Sequence, residues 1–290
     1  MDGKIKTIRS FFDLIKFEHT IFALPFAYLG MLLAAGGLPT FHQFFWITVA
    51  MAAARTLAMG FNRIADRFWD ARNPRTKMRP LVTGAISLRT AWTGTILSGL
   101  VLGFAAWQLG PLPLVLVPGA VFFLVGYSFT KRFTVLSHFI LGFTDGLAPA
   151  GAWVAVRGSL FTWADLPAWL LTLIVTLWIS GFDLIYACQD LDFDREHKLH
   201  AIPARYGASS ALNLSIACHV LMMLLLASLG AWMGLTWPFW LAYLVTGGLL
   251  VWEHRLVHPD DLTHIDLAFF NINSYISLAL FAGVLAALYM

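Results

Sequence analysis

The chain has 290 residues, of which 59% are hydrophobic and 12% charged, and a formal net charge of +3. Apolar runs of this density are too long for the helices of a soluble domain, so the composition predicts an all-α, polytopic integral membrane protein. A charge this small, with the basic residues set beside acids at helix ends, supplies no nucleic-acid surface, and two cysteines without ligand spacing, Cys188 and Cys218, supply neither a disulfide framework nor a zinc site.

In chain order, IKTIRSFFDLIKF at 5–17 is amphipathic and is expected to lie along the membrane surface; no small-residue cleavage pattern follows it, so no removable signal is expected. Apolar segments of spanning length follow at 18–37, 42–65, 91–110, 112–130, 135–157, 167–189, 210–233, 236–256 and 267–289. They predict about nine transmembrane helices; the last break, EHRLVHPDDLTHID at 253–266, is polar but short, and a count of eight stays open. No Ser- or Pro-rich linker divides the sequence, so a single domain over 1–290 is expected.

Lysines and arginines are unevenly placed. Lys4, Lys6, Arg9 and Lys16 precede the first span, Arg63 through Arg89 occupy the second connection, Lys131 and Arg132 the fourth, and Arg195, Lys198 and Arg205 the sixth. The connections between them are nearly uncharged, so the positive-inside tendency makes the basic side cytoplasmic and, with an odd number of spans, puts the C-terminus outside.

Two acidic clusters stand at matching exits from the membrane, NRIADRFWD at 62–70 and DLIYACQDLDFD at 183–194. Arg55, Asn62 and Asp66 follow at intervals of 7 and 4, as do Asp183, Asp190 and Asp194, which places each set on one helical stripe. Carboxylates at i and i+4 on facing helices form a hard-oxygen site suited to Mg²⁺, which typically completes its shell with water and substrate phosphate. Both clusters lie near C-terminal helix ends, where exposed carbonyls also favour cations. The implied ligand is a diphosphate at the membrane surface.

With Asn62, Asp66 and Asp70 in an NDxxDxxxD-like run, and Tyr186, Asp190 and Asp194 in YxxxDxxxD, the sequence resembles the UbiA family of intramembrane prenyltransferases. Arg63 departs from that pattern, standing where many members have Asp; Lys198 and His200 stand where relatives often have Gly and Ser. FEHTIFALPFAYLG at 17–30 and the ARNPRT loop liken it most to the 4-hydroxybenzoate polyprenyltransferase branch, which includes members that prenylate a dihydroxynaphthoate in futalosine-route menaquinone synthesis. The resemblance implies helices around a central cavity, in a bacterial inner membrane with the site facing the cytoplasm. It implies transfer of a polyprenyl group from polyprenyl diphosphate to the ring of an aromatic carboxylic acid, 4-hydroxybenzoate in quinone biosynthesis being the first expectation and 1,4-dihydroxy-6-naphthoate the alternative. Asn62, Asp66 and Asp70 would hold one Mg²⁺ and Asp190 and Asp194 a second, while Lys131, Arg132, Arg75, Lys77 and Arg79 would face the diphosphate.

Arg55 lies deeper on the first stripe, where a guanidinium needs an anion: the acceptor's carboxylate, or a structural pairing with Asp183 or Asp145. Asp183 is expected to hydrogen-bond the acceptor's phenol, and Asp190 to take the ring proton. Other features have plainer readings. His254, His258 and His264, with Asp260 and Asp261, read as a solvated loop, and Gly142, Gly146 and Pro149 as close helix packing or a kink. A different class, an ion-coupled transporter with paired intramembrane acids, also accommodates the pattern, although such sites lie near the midplane and these acids lie at helix exits.

Overall fold

A computed structural model describes residues 13–15 and 20–290, with side chains from Leu24 onward in the second stretch. Most of the expected surface stretch at 5–17, with Lys4, Lys6, Arg9 and Lys16, lies outside the described residues, as do Glu18 and His19. Nine long helices form among the described residues: α1 Thr20–Ala35, α2 Phe41–Ala65, α3 Leu88–Leu109, α4 Pro111–Thr130, α5 Ser137–Arg157, α6 Leu166–Ala187, α7 Ala208–Trp232, α8 Trp237–Leu256 and α9 Asn273–Ala287. A π-helical turn, Leu267–Ile272, leads into α9. Seven of these segments are long and apolar enough to cross a bilayer by themselves, α1 contributes a shorter apolar helix, and α8 ends on the charged run Glu253, His254, Arg255. The protein is an integral membrane protein, and its helices follow the nine apolar segments of the sequence.

Local chemistry sets the helix boundaries that matter for the site. A capping box opens α2, with Thr40 Oγ1 accepting from the Gln43 N–H and Gln43 Oε1 accepting from the Thr40 N–H. At its other end α2 stops at Ala65; Asp66 adopts φ −93°, ψ 3°, and a separate short helix, Arg67–Asp70, follows. Likewise α6 stops at Ala187, tightens into a 3₁₀ turn at Cys188–Asp190 and resumes as Leu191–Glu196. Each acidic cluster therefore sits where a spanning helix changes direction, and the two breaks lie at the same end of the bundle, around one cavity.

Packing places α6 at the centre. Its sequence is predominantly apolar, the pattern of a helix surrounded by protein; 78% of its most apolar 18-residue stretch is buried, against 6% of that of α4. The helix α5 lies so close that a Cβ at Gly142 would come within 2.3 Å of the Thr176 carbonyl oxygen, and one at Gly146 within 2.6 Å of that of Thr172. On the other face α5 meets α1, and α7 packs on α6 from the far side. An aromatic chain, Phe26, Trp178, Phe182 and Phe269, ties α1, α6 and the π-turn together with ring centroids 4.5–5.2 Å apart.

At the opposite end, a fully buried carboxylate organises the loop between α5 and α6. Asp165 accepts hydrogen bonds from Trp153 Nε1 (2.9 Å), Ser159 Oγ (2.8 Å), Thr162 N (3.0 Å) and Thr162 Oγ1 (2.7 Å). Asp165→Ala strands the buried Trp153 Nε1 and takes the charged acceptor from the less buried Ser159 and Thr162, so it should destabilise the protein by about 2 kcal/mol. A lowered thermal midpoint in detergent would register the loss; an unchanged midpoint would show that the loop holds without its carboxylate.

Candidate active site

Both acidic clusters face one cavity of about 160 Å³, walled by Asn62, Asp66, Asp70, Asp190 and Asp194 together with Arg75, Arg79, Lys131 and Arg132. Each of its four aspartates is matched to a cation. Asp66 meets Arg132 at 3.0 Å, Asp70 meets Arg79 at 2.6 Å, Asp194 meets Lys131 at 2.6 Å, and Asp190 is gripped on both oxygens by Arg75. Asn73 Nδ2 adds a third donor to Asp190 at 2.8 Å. The side chain of Asp194 is only 1% exposed, and its Oδ1 has no hydrogen-bond partner.

Backbone geometry aims these groups. Asn73 Oδ1 accepts from the Arg75 N–H at 2.9 Å, a local turn that carries the Arg75 side chain toward Asp190 while its Nη1 donates to Tyr186 Oη. The His200 N–H donates to the Lys131 carbonyl at 2.7 Å, so the loop after the second acidic cluster is sewn to the loop that bears Lys131. In that same loop Lys198 has φ +55°, a left-handed conformation that glycine adopts without a Cβ clash and a lysine adopts at a cost. Burial pushes the Asp66 carboxyl above its usual range against the pull of Arg132. Burial works against the charge on Arg75, yet its bonds to Asp190 hold the guanidinium above the ordinary arginine range.

Deeper in the bundle is a second, larger chamber of about 300 Å³, walled mostly by apolar side chains from α1 to α6. Ala54, Arg55, Ala58 and Met59 of α2 line the chamber, and Asn62, Arg63 and Asp66 line the cavity, so one helix runs past both. From Asn62 to Arg55 is about 10 Å along the axis. Three charged residues, Arg55, Asp145 and Asp183, reach the chamber wall. Arg55 lies within electrostatic reach of Asp145, which also feels Asp183. Asp183 Oδ2 is 2.7 Å from His138 Nδ1, and the Ile202 N–H points at His138 Nε2 at 3.4 Å, an arrangement that puts the ring proton on Nδ1, toward the carboxylate.

Of the residues expected to hold metal, diphosphate or acceptor, all but one line these two spaces. Lys77 is the correction: it is exposed and outside the cavity wall, because the turn that starts at Asn73 directs Arg75 and Arg79 inward and Lys77 out. Arg63 does more than lower local charge. It is buried, and its Nη1 donates to Asn62 Oδ1 at 3.3 Å, the oxygen expected to face a metal. Of the two acids proposed for Arg55, Asp145 acts on it electrostatically, and both line the same chamber. Not singled out from the sequence are Asn73, His138, Ser128, which accepts from Asn62 Nδ2 at 3.4 Å, and Tyr127, in the chamber wall; only Asn73, in the NPRT turn, carried a local signal.

A model of the UbiA prenyltransferase family matches residues 23–275. The 4-hydroxybenzoate octaprenyltransferase of Methylobacillus flagellatus is 28% identical over 260 residues, spanning 90% of this chain and 86% of that one. Its counterpart in Chromohalobacter salexigens is 30% identical over 259 residues, spanning 89% and 84%. In the apo structure of a UbiA homolog from Aeropyrum pernix K1 the fold recurs with a TM-score of 0.84 at 33% identity, over 93% of this chain and 98% of that chain. The structure of a UbiA homolog from Archaeoglobus fulgidus bound to GPP and Mg²⁺ shares the fold with a TM-score of 0.67 at 18% identity, over 93% and 99%. A family match over most of the length, on a helical bundle with paired acidic clusters at one end, makes this chain an enzyme and a member of the UbiA prenyltransferase family.

Proposed function

We propose that this single-domain enzyme transfers a polyprenyl group from polyprenyl diphosphate to the ring of an aromatic acid, 4-hydroxybenzoate being the leading acceptor, at the cytoplasmic face of a bacterial inner membrane. The observation that carries this reading is the stacking of two unlike spaces along α2: a polar cavity with four acid–cation pairs, and beyond it an apolar chamber with an arginine in its wall. The relatives named 4-hydroxybenzoate octaprenyltransferase support the acceptor class. An enzyme, not the ion-coupled transporter, is what the family membership supports.

The cavity's donor set fits magnesium: carboxylate and carboxamide oxygens only, with the buried Asp194 Oδ1 lacking a partner. Asn62, Asp66 and Asp70 would hold one ion, and Asp190 and Asp194 another. The chemistry such ions supply when bound is neutralisation of the diphosphate as it leaves. Arg75, Arg79, Lys131 and Arg132, each now turned to a carboxylate, are within side-chain swing of the same space and would exchange an aspartate for a phosphate oxygen. Arg75 and Arg132 suit that exchange, since a guanidinium fork matches phosphate as well as carboxylate. The apolar chamber would shield the allyl cation from water, so that the ring carbon, not hydroxide, forms the new bond.

Two of the deeper residues would handle the acceptor. Arg55 would clamp its carboxylate, and Asp183, with one oxygen held by His138, would accept the phenol hydrogen bond and, once the ring carbon has bonded to the prenyl group and diphosphate has left, take the ring proton. Three donors already occupy Asp190, which lines the polar cavity and not the chamber, so Asp183 is the better placed base of the two. The test is a paired assay in detergent with Mg²⁺: 4-hydroxybenzoate and 1,4-dihydroxy-6-naphthoate offered with diphosphates of several chain lengths, the products identified by mass. Prenylated 4-hydroxybenzoate is expected. Product from the naphthoate alone would move the enzyme to menaquinone synthesis, and product from neither would overturn the aromatic reading.

A further inference from the structure

Beside α6, outside the walls of both cavities, three potential ligands from α7 and α8 converge. His219 Nδ1, His254 Nε2 and a Glu253 carboxylate oxygen all lie within 4.8 Å of one another. The His219 Nδ1 to His254 Nε2 distance is 2.9 Å, and Glu253 Oε2 is 3.7 Å from His219 Nδ1. None of the three lines the cavity or the chamber.

The surroundings hold these groups as ligands are held. His219 Nε2 is 3.2 Å from the Trp178 carbonyl, which fixes the ring proton on Nε2 and leaves the Nδ1 lone pair facing the cluster. Ligating histidines characteristically give their second N–H to a carbonyl or carboxylate in this way. Gly181 makes room for that ring, since a Cβ there would sit 2.3 Å from His219 Nε2. Glu253 is fully buried; Asn273 Nδ2 donates to its Oε1 at 3.0 Å, while its Oε2 has no hydrogen-bond partner. Asn273 is itself placed by the π-turn, whose Ala268 and Phe269 carbonyls also accept from its Nδ2, each at 3.1 Å. A π-turn at such a point commonly marks a functional site.

From this geometry we infer that His219, Glu253 and His254 form a binding site for a divalent transition ion of the zinc class, separate from the acidic cavity. Two imidazoles and one carboxylate are a donor set that suits zinc and leaves a fourth tetrahedral position for water. Bonds of about 2.0–2.1 Å set the ligand atoms of a tetrahedral zinc about 3.3 Å apart. Two of the distances, 2.9 and 3.7 Å, straddle that value, and the third pair, Glu253 with His254, lies within 4.8 Å, so a side-chain movement of up to about 1.5 Å closes the shell. His254, half-buried in the last turn of α8, is the way in for the ion. Bound there, the ion would join α7 to α8 and, through Trp178 and Asn273, brace α6 and α9 behind the substrate chamber.

The experiment uses the full chain in detergent, stripped with chelator and freed of any polyhistidine tag, with Co²⁺ as the spectroscopic probe and Zn²⁺ as competitor. One equivalent of Co²⁺ with the visible absorption of a four-coordinate nitrogen–oxygen site is expected, displaced by Zn²⁺ and not by Mg²⁺. His254→Gln should lose that equivalent, while an Asp66→Asn/Asp190→Asn double variant keeps it. Since Glu253→Gln also disturbs Asn273, His254→Gln at the half-buried helix end is the deciding variant; a second route is Asn273→Ser, expected to weaken Zn²⁺ binding about 10–100-fold. Absence of the visible bands in the native protein, or equal binding by His254→Gln, would overturn the site and leave three buried groups sharing protons.

Discussion

Asp66→Ala should lower prenyl transfer about a thousandfold, and Asp190→Ala should do the same, with each protein still folded in the membrane. The expectation rests on where the two side chains stand. Asp66 accepts from Asn62 Nδ2 on one oxygen and from Arg132 on the other, and Asp190 is the anchor of Arg75 and Asn73 across the same cavity. Removing either deletes a proposed metal ligand and also releases a cation whose position its carboxylate had fixed. The fold should tolerate the change. Arg132 retains the Ala65 carbonyl at 2.7 Å and Arg75 retains Tyr186 Oη at 2.9 Å, and both side chains are about a third exposed, so neither guanidinium is stranded. Rates at saturating donor across a Mg²⁺ series, with Asp66→Asn as the isosteric partner, separate charge from shape. If Asp66→Asn is as inactive as Asp66→Ala, the negative charge is what the reaction uses; near-native turnover in either variant would remove Asp66 from the ligand set.

The spans and the stripe that bears the polar residues were legible because burial in lipid forces long apolar runs and because helical side chains recur at i+4 and i+7. That periodicity put Arg55 and Asn62 of α2 and Asp66, just past its end, on one stripe, and in the structure Arg55 lines the chamber while Asn62 and Asp66 line the cavity. What the pattern could not carry is anything that depends on a turn or a distant partner. Lys77 and Arg79 are equivalent on paper, yet the Asn73 turn sends one outward and the other to Asp70. His138 and Asp183 are 45 residues apart, and Asn73 and Asp190 are 117 apart, so neither pairing had a spacing to betray it. The polar run at 253–266 groups His254 with the loop histidines, yet α8 continues to Leu256 and His254 meets His219 of α7, a residue surrounded by apolar sequence. A buried histidine and an adjacent glutamate–histidine pair in an apolar background were the available signal.

Arg55→Ala should raise the KM for the aromatic acid about 30–100-fold while leaving the KM for the prenyl diphosphate near its native value. The guanidinium lies in the wall of a mostly apolar chamber that also bears Asp145 and Asp183, where a carboxylate-bearing substrate gains a charge-assisted contact that water screens little. Asp145 complicates the reading, because it sits within electrostatic reach of Arg55 and Arg55→Ala deprives it of that counter-charge. Repulsion between a stranded Asp145 and the acceptor would also raise KM. An Arg55→Ala/Asp145→Asn double variant separates the two effects. If Arg55 only balances Asp145, the double variant regains a native acceptor KM; if it clamps the substrate, KM stays high. Arg55→Lys should not rescue binding either, since a point charge on a flexible stem does not reproduce the planar fork. The sharpest readout is the substrate itself. Native enzyme should prefer 4-hydroxybenzoate strongly over phenol, and Arg55→Ala should erase most of that preference by losing the acid and not the phenol, whereas an unchanged ratio would assign Arg55 to the fold alone.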